Sequence, residues 1–180
     1  MSGKAKYGEK DAPISPYRTR KFWLYTCAFA LLFGMTGAEL GLVSDLLHEG
    51  GNNEANYPSA EFKHDLGILL FTCIASLLYI IGHAFISMGL NIFVNFVLAV
   101  FWGTGAGVLF HVSPFESFTC DKPSSTFNSN WAAYSDHCAR VVAMQGLAWA
   151  LWGLSIILMF GMLFHLVEFK ARQNVSMYRV

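Results

Sequence analysis

The sequence predicts an all-α integral membrane protein, a four-helix bundle with both termini cytoplasmic. Composition is the first reason: 54% of the residues are hydrophobic and 13% charged, against about 25% charged in soluble domains. The second is four apolar runs, near 22–46, 66–87, 90–111 and 141–167. Each is long enough, at about 1.5 Å rise per residue, to cross a hydrocarbon core about 30 Å thick. The third is charge segregation. Lys4, Lys6, Lys10, Arg18, Arg20 and Lys21 precede the first run, and Lys170, Arg172 and Arg179 follow the last, nine of the twelve basic residues. The loops at 47–65 and 112–140 hold only Lys63, Lys122 and Arg140, so the positive-inside bias places both loops outside or in a lumen.

Residues 1–21 mix charge with Pro13 and Pro16, show no apolar period, and read as a cytoplasmic basic tail. Its charges set topology and can also rest on anionic lipid. No secretory cleavage pattern precedes the first run, which therefore reads as a signal anchor. The transmembrane domain spans 22–167, and 168–180 form a second cytoplasmic tail. The sequon Asn174-Val175-Ser176 falls in that tail, where it should stay unmodified.

The first helix carries Gly34, Gly37 and Gly41 at i, i+3 and i+7. Such small-residue stripes let membrane helices approach closely where lipid supplies no hydrophobic drive. Ala99, Gly103 and Gly107 repeat the device in the third helix, and Gly146, Ala150 and Gly153 in the fourth. These stripes predict packing within a bundle or against a second copy of the chain. The second and third helices are joined by little more than HAFISMGLN, which makes them an antiparallel hairpin. Phe22, Trp23 and Tyr25 at one end and Phe164 and Phe169 at the other read as interfacial belts. Trp149 and Trp152 sit inside the fourth run, where an indole N–H wants a partner.

Cys120 and Cys138 lie in a polar stretch, FTCDKPSSTFNSNWAAYSDHCAR. Zinc sites and thiol oxidoreductases favour close pairs such as C-x-x-C, whereas a disulfide needs only an oxidising compartment. The spacing and the topology therefore favour a disulfide. Cys27 and Cys73 fall inside apolar helices and read as buried packing residues.

Glu39 is the strongest intramembrane polar signal, because a carboxylate there is costly and implies a partner or a proton relay. Gln145, Thr104, His111 and Arg140 lie at comparable depth. The expectation is a protonated or hydrogen-bonded Glu39 that locks the bundle, with transport as the alternative. At the other side of the membrane His83 and His165 lie at equal depth with Asn91 and Asn95. Two such histidines could clamp a b-type haem, but interfacial histidines that hydrogen-bond are the plainer expectation. No phosphate-binding loop, catalytic triad or metalloprotease helix occurs. Neither an enzyme, nor a metal, nor a cofactor is expected, and the neutral overall charge gives no nucleic-acid footprint.

The short hairpin, NIFVNFVLAVFWGTGAGVLF, the loop cysteines and CARVVAMQGLAWALWGLSIIL together resemble the MARVEL-domain family in its small fungal-type form, over roughly residues 20–168. Trp102 and its glycines, Cys120 and Cys138, and the small-residue face of the fourth helix match. The resemblance implies a non-enzymatic membrane-organising or trafficking scaffold in the plasma membrane or secretory vesicles. Its partners would be membrane lipids, other membrane proteins and further copies of itself.

Overall fold

A computed structural model describes residues 16–177, with side chains from 23 to 167; of the expected tails at 1–21 and 168–180, residues 1–15 and 178–180 lie outside the described residues, while 16–21 and 168–177 continue α1 and α5 as helix. Among the described residues all regular structure is helical. The long helices are α1 (Pro16–Gly50), α2 (Ala60–Gly82), α3 (Met88–Val112) and α5 (Cys138–Met177), with a short α4 (Ser129–Ala132) in the second outer loop. Four of them contain stretches long and apolar enough to cross a membrane: Trp23–Gly50, Ala60–Phe85, Met88–Val112 and Ser135–Val167.

Local chemistry sets the boundaries. α1 ends at Gly50, and the chain turns through Gly51 at φ +61°, a left-handed conformation that glycine adopts without Cβ strain. Ser59 then caps α2, its hydroxyl accepting the Phe62 N–H at 3.1 Å. This cap starts the helix six residues before the apolar run at 66, and draws Phe62 and Asp65 out of the expected loop 47–65 and into the helix. Ser87 caps α3 in the same way through Leu90 N–H at 3.4 Å. Asn91 donates to the carbonyls of His83 at 3.2 Å and Ile86 at 3.3 Å, which ties the hairpin together.

α1 packs on α2 and α5, and α3 packs on α2 and α5, giving the ring order α1, α2, α3, α5. Leu32, Val43, Leu46, Phe62, Leu66, Leu69, Trp102, Leu109, Met144 and Leu151 fill the interior. Leu24, Leu78, Ile81, Phe93, Phe110, Ile157 and Phe164 point outward. A helix surface that is apolar outside as well as inside suits lipid, not water, as its solvent.

The small-residue stripes take a different place from the intrabundle one. A Cβ on Gly34, Gly37, Gly41, Gly107, Gly146 or Gly153 would meet nothing within 4 Å, and Ala150 is exposed. The buried positions of α1 are Leu32, Thr36, Glu39, Val43 and Leu46, whose 3.6-residue period leaves 34, 37 and 41 on the outer side. On α3 the stripe is different: Ala99 is buried, and Gly103 has the Trp152 indole 2.9 Å from an added Cβ. Gly105, which belongs to none of the stripes, makes the closest approach to α2: its added Cβ would sit 2.5 Å from Leu69 Cδ2 and 3.7 Å from Asp65 Oδ1. Gly105→Ala should therefore destabilise the bundle by about 1–3 kcal/mol through overpacking. Gly37→Ala, with open space around it, should leave the unfolding midpoint in detergent within experimental scatter of the parent.

Candidate functional site

Asp65, Leu69, Thr72, Ser76, Tyr79 and His83 recur at alternating four- and three-residue intervals, so they lie on one face of α2 and its end. Asp65, Thr72, Ser76 and Tyr79 are buried, which makes the face a polar seam through an apolar bundle. Most of it is satisfied. Thr72 Oγ1 donates to its own helix at Ile68 O, 2.7 Å. Trp102 Nε1 donates to Ser76 Oγ at 3.2 Å, and Asn95 Nδ2 donates to the Tyr79 hydroxyl, both from α3. Interhelical hydrogen bonds of this kind are worth about 0.6 kcal/mol each on average in membrane proteins. Trp102 is thus the fully buried indole; Trp149 and Trp152 are partly exposed on α5, edge to face at 5.5 Å, with Trp152 against Gly103 of α3.

The outer part of the seam is not satisfied. Glu39 is 0% exposed and Asp65 1%, yet neither carboxyl oxygen of either has a hydrogen-bond partner among the described residues, nor has the Thr36 hydroxyl one turn before Glu39. Asp65 is near enough for its charge to act on Glu39, and the Cys73 thiol lies within range of Glu39. Of the two forms of lock expected for Glu39, the hydrogen-bonded one is therefore not formed among the described residues, which leaves the protonated one. Gln145 is half-buried on α5 and His111 exposed; Thr104 Oγ1 returns to Val100 O at 2.8 Å. Arg140 is engaged elsewhere. The partner that burial brings to Glu39 is Asp65, read from sequence as a loop acid. The signal that could have found it is Ser59 followed by Phe62, Asp65, Leu66 and Leu69, a cap and an i, i+3, i+4, i+7 pattern.

The two histidines at the opposite end have separate surroundings. His83 Nδ1 lies 2.6 Å from Ile80 O, a spacing that makes Nδ1–H the donor, and its ring stacks on Phe29 at 4.1 Å. His165 is half-buried on α5, and its Nδ1 has no hydrogen-bond partner among the described residues. Asn95 belongs to Tyr79. Among the described residues no three His, Cys, Asp or Glu side chains gather to hold a metal.

The loop between α3 and α5 forms an aromatic cap over the end of α2. Phe62 meets Trp131 and Tyr134 edge to face at 5.4 and 5.6 Å, and Phe115 meets Trp131 at 5.1 Å and Phe127 at 5.0 Å. Asn128 caps α4 by accepting the Trp131 N–H at 3.1 Å, which aims the indole inward. Cys120 and Cys138 lie at disulfide-bonding distance, Cα atoms 5.5 Å apart, and anchor this loop to the start of α5. Closing an 18-residue separation is worth about 3 kcal/mol in the chain-entropy model. Next to it Arg140 Nη1 donates to Asp45 Oδ2 at 2.7 Å and Glu49 Oε1 at 2.9 Å, and His137 Nδ1 lies 3.4 Å from Glu49 Oε2. These pairs join α5 to the end of α1, and solvent screening keeps each of them weak. Of the other cysteines, Cys73 is buried as expected, but Cys27 is exposed on α1.

Comparison of the chain with profiles of known protein families, with curated proteins and with solved structures finds no match.

Two outcomes test the cap. Intact mass under non-reducing conditions should be two hydrogens below the reduced value, and two free thiols would remove the anchor. Burial, then Tyr57 and Glu49, push the Tyr134 phenol from the ordinary 10.0 up to about 12. The unfolded chain releases that proton first, so the cap's contribution is full below pH 10.0 and falls as pH rises toward about 12. Tyrosinate absorbance should show Tyr134 among the late-titrating phenols, and Trp131→Ala should return one phenol toward the ordinary range.

Proposed function

We propose that this chain is a non-enzymatic membrane-organising protein, with both termini cytoplasmic, that associates laterally with lipids and with other membrane proteins or further copies of itself. The observation that carries this reading is the outward direction of Gly34, Gly37 and Gly41 on α1 and of Gly146, Ala150 and Gly153 on α5. Small residues are enriched where membrane helices meet, and these have no partner within the bundle. α3 adds a shallow outer groove of about 450 Å³ lined by Gly103, Gly107, Thr104, His111 and Glu61. The cytoplasmic ends follow from the basic residues at either end of the sequence. The resemblance to small MARVEL-domain proteins points the same way, toward the plasma membrane or secretory vesicles.

The reading predicts that gentle extraction and crosslinking will recover adducts to other membrane proteins or to a second copy through α1 or α5. Gly37→Leu with Gly41→Leu should remove most α1 adducts while leaving the Cys120–Cys138 link and the helical signal unchanged. A chain that remains monomeric and free of adducts in native membranes would overturn it.

A further inference from the structure

The Glu39 and Asp65 carboxyls face an interior that offers them nothing. All four oxygens and the Thr36 hydroxyl are buried without a hydrogen-bond partner, and Asp65 Oδ1 is directed toward Gly105, where the absent side chain leaves the oxygen 3.7 Å from an added Cβ. The charges around the pair are few. From α1 there is Glu39 itself, and from α2 Asp65 and the Cys73 thiol. On α3, His111 is exposed. On α5, Arg140 is bound to Asp45 and Glu49, and His137 lies against Glu49. None of these three is among the charges that act on Glu39 or Asp65.

Two buried carboxylates near enough for the charge of one to act on the other, with no counter-charge, cannot both stay ionised in a medium of low dielectric constant. A hard divalent cation would want six to eight oxygens, and the buried oxygens here come from three side chains with a thiol beside them. A proton needs only the pair. Position decides where it would come from. Asp65 is five residues into α2, about 8 Å from the outer end, while His83 at the hairpin lies about 27 Å further along. Between them Thr72 is bonded to its own helix, Ser76 is held by Trp102 and Tyr79 by Asn95, so the seam below the pair is anchored.

We propose that Glu39 and Asp65 form a proton-exchange site that holds a shared proton within the bundle and takes up a second from the outer side as the outer pH falls. The uptake joins a proton to a carboxylate oxygen and breaks no other bond. It neutralises the negative charge that remains on the pair, one turn from Phe62, where the aromatic cap is seated. The inference does not depend on which partners the outer helix faces take.

The test uses the full chain in phosphatidylcholine vesicles, treated with the apolar reagent dicyclohexylcarbodiimide, which attacks protonated carboxyls shielded from water. Peptide mass mapping then reads the adducts. The expected result is an adduct on Glu39 or Asp65 whose rate rises several-fold as the outer pH is lowered from about 8 to about 5 at constant inner pH. Exposed Asp45, Glu49 and Glu61 should stay unlabelled. No adduct at any pH, a rate that follows only the inner pH, or suppression by sodium or calcium at fixed pH would each overturn the proposal. In Glu39→Gln, with the Cys120–Cys138 link as the check on folding, the pH response at Asp65 should change, and an unchanged response would show that the two carboxyls do not act as a pair. The wild-type labelling decides the matter if that variant fails to fold.

Discussion

In a hydrocarbon interior each polar group has to find its partner within the protein, and one face of α2 is where this chain meets that requirement. Ser76 and Tyr79 receive Trp102 and Asn95 from α3. Phe29 of α1 lies against Tyr79 and His83, and Glu39 lies against the Asp65 end. Phe62, one turn before Asp65, seats Trp131 and Tyr134 of the cap. The register of α1 and α3 on α2, and the position of the outer loop, all follow from contacts to this one helix face.

The satisfied and unsatisfied parts of that face do different work. Paired groups such as Trp102 with Ser76 add modest energy but fix register, because any slip would leave a donor unpaired in a medium that cannot solvate it. Glu39 and Asp65 add no such bond. Two acids brought together from different helices cost stability unless protons or an ion relieve them, and the disulfide, the Arg140 pairs and the aromatic cap hold the outer end closed around them. The end of the bundle with the densest tertiary ties is the end that carries the least satisfied polar groups.

The interior and exterior of the bundle divide along helix period. On α1 the buried set 32, 36, 39, 43 and 46 excludes the glycines at 34, 37 and 41. Tight intrabundle approach is left to Gly105 against Leu69 and Gly103 against Trp152. The α1 glycines are then a property of the bundle's outer surface and not of its internal packing.

Sequence by itself determined the four apolar helices, their antiparallel hairpin and the loop that carries Cys120 and Cys138, because crossing length, apolar content and cysteine spacing are local quantities. It also identified Glu39, since a lone acid in an apolar run is conspicuous without any fold. It could not show that Asp65 is Glu39's neighbour, because a hydropathy run begins at 66 while the helix begins with the cap at Ser59. Nor could it choose Trp102 over Trp149 and Trp152 as the buried indole, or say which way the glycines face. Those are decided by the rotation of each helix about its own axis, and only tertiary packing sets that rotation: lipid and protein interiors are equally apolar, so hydrophobicity alone does not tell inside from outside.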